Sequence, residues 1–406
     1  MKQKMKLPDY YQTTLTPKEE IYRRISAFQK ALTKADLEAG LIHQNVDLFY
    51  LSGTMQQAFL YIPSQGEPFL LVKKDLSRAL AESPLANIKT LPSVGQLAET
   101  LLRFGYRIPD CLGLELDCLP VSTYRFLEEK LGWKEDRDIS VMLRKIRANK
   151  SDFELDQMRA SGEIGRRLYQ AVPELLKPGM TEMEMAGLLI HRAVSWGDLN
   201  LLRSRSFNSA AFNWHVISGE SGACQSRNDA PFAGLGQSPA FPMGASQKPI
   251  RAGEPVLIDF GNCYNGYQTD QTRMFSIGKP AKEFIKAHQA LQKIETLLLA
   301  HLRPGQSAEA LYRMSLKEAK KLGYEDSFLG PRGQKVKFVA HGVGLEIDEF
   351  PFLAQGHHYP LEEGMTLALE LKIVLDKAAV GFENTVVIRK DGVEKLTTAD
   401  ETFTII

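Results

Sequence analysis

Five side chains spread along the C-terminal half of the chain, Asp259, Asp270, His341, Glu370 and Glu383, have the types and order of a metal-ligand set. One imidazole and four carboxylates supply enough oxygen and negative charge to hold two divalent ions, and a pair of such ions activates water for hydrolysis. Taken singly, each acid reads as readily as a solvated or capping residue, and His341, flanked by Val339-Ala340 and Gly342-Val343-Gly344, as a core histidine. The local pattern around them makes them a set. Asn265-Gly266 is a two-residue hairpin signal, because both turn positions take positive φ. That turn sets Asp259 opposite Thr272 and puts Asp270, two residues along, on the same face. If residues 376–379 form a second loop, Glu370 opposes Thr385 and shares a face with Glu383. Carboxylates crowded on one sheet face repel one another and lose hydration unless cations neutralise them.

Residues so far apart in sequence need a scaffold that folds back on itself. Ser151 and Glu154 form a capping box that starts a helix running to about Leu176, stopped by Pro178-Gly179, and Thr181 with Glu184 repeats the box. The stretch Lys177-Pro178-Gly179-Met180-Thr181 has an echo in Arg303-Pro304-Gly305-Gln306-Ser307, each between helical segments. The echo and the two hairpins predict an internal duplication, helix pair then hairpin, twice over, with extra residues of the first copy in the Gly/Ser/Pro-rich segment Ser218 to Pro249. Two copies facing across a pseudo-twofold axis would bring the five ligands together.

Upstream, Ile21, Ile25, Phe28 and Leu32 mark a helix over 18–34, and apolar runs at Leu41–Ile42, Phe49–Leu51, Phe59–Ile62, Phe69–Val72 and Leu112–Leu116 read as strands. Helices near 94–104 and 121–131 alternate with them. The pattern predicts an α/β domain over residues 1–145 and an α+β domain over 146–406.

A chain of 406 residues suits two compact units. Its charges nearly cancel at +1, which gives no electrostatic reason to expect nucleic acid or a membrane surface and points to a small substrate. Met1–Tyr11 lacks the apolar core and cleavage site of a secretory signal, and no apolar run is long enough to span a bilayer. Cys111, Cys118, Cys224 and Cys263 have neither CxxC nor framework spacing, which predicts free thiols and a cytoplasmic setting.

Asp259-Phe260-Gly261 with Gly266-Tyr267, Asp270 and Thr272-Arg273, then His341-Gly342-Val343-Gly344, Glu370 and Glu383, resemble the motifs of the creatinase, prolidase and methionine aminopeptidase family. Within it the likeness is to Xaa-Pro dipeptidases and proline aminopeptidases. The resemblance is specific over residues 145–395 and looser over 1–145. It implies an α/β creatinase-like N-terminal domain followed by an α+β pita-bread catalytic domain with pseudo-twofold duplication. It also implies two divalent ions, manganese or cobalt with iron or zinc as alternatives, bridged by Asp270 and Glu383, with Asp259 completing one shell and His341 and Glu370 the other. Water activated there would attack the peptide carbonyl next to the N-terminal residue of a dipeptide or short peptide with proline second, Glu370 acting catalytically as proton shuttle. A homodimer is implied as well.

Four positions depart from that pattern. Ser226 and Asp348 stand where the family carries substrate histidines, Gly381 where prolidases carry an arginine, and Leu371 where a proline is usual. Those histidines steady a developing oxyanion, whereas Asp348 would repel one and suits a substrate amine. Substrate-pocket candidates are therefore Ser226, Asp348, His215 and Arg273, with His357 and His358 as further replacement imidazoles and Phe212 and Trp214 at the pocket mouth. Arg273 would pair with a ligand or substrate carboxylate, or form a structural ion pair. Loss of the histidines motivates one alternative, a metal-dependent hydrolase or lyase of a non-peptide small molecule; a second, of another class, is a non-catalytic binding protein that reuses the fold. Retention of all five ligands argues against the second.

Overall fold

In the computed structural model the described residues are 14–205, 207–208, 212–213, 215–225 and 230–406; Met1–Tyr11, Trp214 and Ser226 lie outside them. The chain divides into two compact units, Met1–Arg147 and Ala148–Ile406.

The first unit is built on a six-stranded mixed sheet in the order Ile88–Thr90, Phe69–Val72, Ala58–Pro63, Ala39–Ile42, Cys111–Leu114, Glu135–Asp138. The helix Lys18–Lys34 buries Ile21, Ile25, Phe28 and Leu32, the stripe its spacing announces. The run Phe49–Leu51 is not a strand but part of the helix Asn45–Ser52. Gln44 caps it by accepting from the amides of Val46 and Asp47, and Gly53, at φ 76°, closes it in the left-handed region. Most of this helix is buried, so its apolar residues show no helical stripe that would distinguish them from a strand.

The second unit begins with the helix Asp152–Leu175, whose Ser151/Glu154 capping box forms as the sequence predicts, and continues with Glu182–Ser195 behind the Thr181/Glu184 box. This pair packs on a four-stranded sheet ordered Thr404–Ile405, Thr272–Ser276, Pro255–Asp259, His215–Ser218. A second pair, Lys282–His301 and Ala308–Lys321, packs on a five-stranded sheet ordered Glu349–Ala354, Phe338–Gly342, Thr366–Leu369, Thr385–Arg389, Gly392–Lys395. Two ribbons complete the unit, Asn262–Tyr264 with Tyr267–Thr269 and Leu371–Leu375 with Ala378–Phe382.

The Asn265-Gly266 turn forms with both φ positive, 49° and 86°, and Thr272 faces Asp259 as the register arithmetic requires. The second hairpin is tighter than expected. Leu375 pairs with Ala378, so Asp376-Lys377 alone make the turn, and Lys372 pairs with Gly381. The shift relative to a four-residue loop is two residues. It preserves side-chain parity, and so Glu370 and Glu383 still share a face.

Candidate metal centre

The hairpin that carries Asp259 and Asp270 is fixed by the helix behind it. Tyr169 donates its hydroxyl to the carbonyls of Ile258 and Gln271, and the hydroxyls of Ser161 and Thr269 meet at 3.0 Å. Gly165 permits that closeness, since a Cβ there would lie 2.0 Å from Nε2 of Gln271. The two halves are then stitched across the centre. Thr385 Oγ1 accepts from the Asp270 amide and donates to its carbonyl, and Thr272 bridges to Glu383.

Arg273, expected to pair with a ligand or substrate carboxylate or to form a structural ion pair, has a structural role, but its partners are carbonyls and an amide oxygen rather than a carboxylate. Its guanidinium is buried and donates to the carbonyls of Thr272, Glu383, Ala399 and Asp400 and to Oδ1 of Asn384, at 2.7–2.9 Å. It clamps the two ligand-bearing strands from behind. The rings of Tyr169 and Phe382 flank it, 5.9 and 5.5 Å from its Cζ.

All five expected ligands converge. They form two triads sharing Glu383, Asp270–His341–Glu383 and Asp259–Glu370–Glu383, each with its ligand atoms within 4.8 Å of one another. His341 Nε2 lies 3.8 Å from Glu383 Oε1, while its Nδ1 lies 3.2 Å from the Gly342 carbonyl and 3.6 Å from Asp348 Oδ1. A proton on Nδ1, directed at the Gly342 carbonyl, therefore leaves the Nε2 lone pair turned into the centre, the arrangement of a ligating histidine backed by a carbonyl, with the Asp348 carboxylate nearby. Asp348 is half exposed and lies beside this ring.

His215 lies on a strand as the Cα partner of Asp259. Its ring packs against Phe212 and Phe232. Burial, with help from the Lys372 charge, pushes its pKa down to about 4, so the imidazole is neutral, and its buried Nε2 has no hydrogen-bond partner. His357 and His358 face elsewhere, on Tyr359 and Glu309.

Lys372 is a member of the centre that the motifs do not announce. Wholly buried, its ammonium donates to Glu383 Oε2 at 2.8 Å and to Thr272 Oγ1 at 2.9 Å, and lies 2.9 Å from Glu370 Oε1 and 3.6 Å from Asp259 Oδ2. The alternation that turns Glu370 inward turns Lys372 inward two residues later, and that is the signal that could have found it. Burial works against its charge, but the carboxylates of Glu370, Glu383 and Asp259 outweigh it and hold the pKa well above the usual lysine value.

The acids divide accordingly. Burial raises Asp270 and Glu370 well above the carboxylate range, reinforced by the Glu383 charge, and raises Asp259 to about 6 against the pull of Lys372. Glu383 is also penalised by burial, yet Lys372 and His341 hold it below its ordinary value. Asp270 Oδ1 and Glu383 Oε1 are buried without a hydrogen-bond partner, so the triad with His341 has the geometry and the unmet demand of a divalent-cation site. In the other triad an ammonium already meets that demand.

Comparison with known proteins agrees with this architecture. The chain is 26% identical over 380 residues to an Xaa-Pro dipeptidase of Pyrococcus furiosus, covering 92% of this chain and 97% of that one. Among solved structures, the prolidase from Pyrococcus horikoshii superposes with a TM-score of 0.77 at 24% identity, covering 93% of this chain and 99% of the other. An Xaa-Pro dipeptidase from Bacillus anthracis superposes at 0.80 with 22% identity, over 95% and 100%. These likenesses identify the second unit's fold as the pita-bread fold. Residues 24–149 match the creatinase/prolidase N-terminal domain, and residues 156–390, more than half the chain, match the model of metallopeptidase family M24, to which this chain belongs.

Proposed function

We propose that the chain is a metal-dependent dipeptidase that cleaves after the N-terminal residue of dipeptides or short peptides with proline in second position. The observation that carries the reading is the convergence of Asp259, Asp270, His341, Glu370 and Glu383 on one buried point, with two carboxylate oxygens left unpartnered there. The proline preference is supported by the activities for which the relatives are named. Residues 1–145 would form the creatinase-like domain and 146–406 the catalytic one, a division supported by the two compact units.

Asp270, His341 and Glu383 would hold a divalent ion. Manganese and cobalt are the metals the family resemblance favours, with iron or zinc as the alternatives, since an oxygen-rich site with one imidazole suits all four. When bound, such an ion supplies Lewis-acid polarisation of the peptide carbonyl and of water. Glu370, whose carboxyl is held well above its ordinary pKa by burial and by Glu383, is the group suited to take up a proton at neutral pH and return it to the leaving amine. His215, neutral and with a free Nε2, would hydrogen-bond the substrate from the opposite side of Asp259, and Asp348 would orient His341 rather than touch an oxyanion. Arg273 holds the two hairpins in register and has no free donor for substrate.

Four free cysteines support a reducing, cytoplasmic setting, and the family resemblance supports a homodimer. Among the described residues no helix is long and apolar enough to cross a membrane. The test is a panel of Xaa-Pro dipeptides against matched Xaa-Ala dipeptides, with chelator-stripped protein and with added manganese. Hydrolysis of the proline series only with metal supports the reading; fully loaded protein that cleaves neither series refutes it.

A further inference from the structure

Resting on the reading of this centre as a metal site, we infer that the Lys372 ammonium takes the place of one cation, so that the centre binds a single divalent ion, at Asp270, His341 and Glu383. The two oxygens of Glu383 divide the work. Oε2 accepts hydrogen bonds from Lys372 and Thr272, whereas Oε1 faces His341 Nε2 and has no partner. Glu370 Oε1 is likewise engaged by the ammonium, which also lies beside Asp259. Every member of the Asp259–Glu370–Glu383 triad thus already faces a fixed positive charge.

The charge balance points the same way. Counted with all four carboxylates ionised, as ligands to a cation must be, one ammonium leaves a balance of −3, and one divalent ion brings it to −1. A second ion would drive the centre to +1 while competing with the ammonium for the same oxygens of Glu370 and Glu383, at a distance where like charges repel strongly.

Nor can the lysine step aside without disturbing its neighbours. Its stem crosses Gly381, its Cα partner on the neighbouring strand, and a Cβ at 381 would lie 2.9 Å from Lys372 Cδ, 2.7 Å from Thr272 Cγ2 and 2.8 Å from Leu257 Cδ1. The Phe232 ring closes over the ammonium, with its centroid 5.8 Å from Nζ. The family resemblance calls for an arginine at Gly381; here the positive charge stands on the opposite strand, at Lys372, and points into the ligand cluster.

The experiment is a manganese(II) titration of the chelator-stripped full chain, with bound metal counted by elemental analysis and its electronic state read by electron paramagnetic resonance. The wild type is expected to bind one ion per chain with the spectrum of an isolated ion, and Lys372→Ala two, with the spectrum of an exchange-coupled pair. Asp259→Asn, which touches only the lysine-filled triad, should keep the single ion, and Asp270→Asn should lose it; these two variants test the assignment even if the lysine variant does not fold. Two coupled ions in the wild type would overturn the inference and leave the metallopeptidase reading standing. No ion in any variant would overturn both. A folded lysine variant that still takes one ion, or an ion lost with Asp259→Asn and kept with Asp270→Asn, would also overturn the inference.

Discussion

Replacing Lys372 by methionine removes the charge but keeps most of the stem. The ammonium makes two close contacts with carboxylates, at 2.8 Å to Glu383 and 2.9 Å to Glu370; Lys372 and Glu383 are wholly buried and the Glu370 side chain is 12% exposed. Breaking a buried pair by deleting one partner costs about 3–5 kcal/mol, and at about 2–4 °C per kcal/mol for a unit of this size the metal-free catalytic unit should melt roughly 6–20 °C lower at pH 7. The sign of the pH dependence follows from Glu383. Lysine holds its folded pKa below the ordinary value, so its contribution is present above the unfolded pKa and lost as pH falls through the folded one. The deficit of the variant is therefore largest at neutral pH and fades in acid, where the stranded carboxyls take up protons. Excess manganese should recover about 2.7 kcal/mol at a hundredfold excess over Kd, because the vacated oxygens accept a cation in place of the ammonium. Thermal melts in chelator at pH 7 and pH 4.5, with and without manganese, read all three effects. Equal melting of variant and wild type in chelator at pH 7, or a deficit that grows on acidification, would show that the ammonium does not stabilise these carboxylates.

Gly381→Ala should lower stability by about 1–3 kcal/mol, as overpacking does, since its Cβ meets Thr272, Leu257 and Lys372 at once; urea unfolding measures it. Arg273→Met strands the carbonyls of Thr272, Glu383, Ala399 and Asp400 and should cost about 3 kcal/mol or more in the same assay, with KM for a dipeptide near the wild-type value. Asp348→Asn should weaken manganese binding about tenfold by loosening the orientation of His341, read by calorimetric titration. Metal uptake at pH 6 should release protons, because burial and mutual repulsion hold Asp259, Asp270 and Glu370 above their ordinary values in the metal-free chain; titration in buffers of different ionisation enthalpy counts them.

The parts of the centre that depend on local pairing are legible in the amino-acid sequence alone. The Asn265-Gly266 turn dictates the partner of Asp259, and the Ser151 and Thr181 boxes dictate where two helices begin, because each rests on contacts between residues close together in the chain. The second hairpin is less legible because Asp376-Lys377-Ala378-Ala379 admits two loop lengths, and both keep Glu370 and Glu383 on one face. Residues 49–51 mislead for a different reason: a short helix buried nearly all round carries no stripe. Arg273 and Lys372 exchange the roles their surroundings suggest. The arginine beside the ligands turns away and the lysine turns in, as alternation from Thr272 and from Glu370 requires, but the carbonyls that Arg273 meets, from as far as Asp400, come from residues distant in the chain that no spacing rule brings together.

Anomalous X-ray scattering at the manganese edge, from crystals of the full chain grown with manganese(II), locates the metal without reference to activity. The expected result is an anomalous peak within coordination reach of Asp270, His341 and Glu383. A fully loaded crystal whose metal lies away from these three side chains would contradict the assignment of this centre as a metal site.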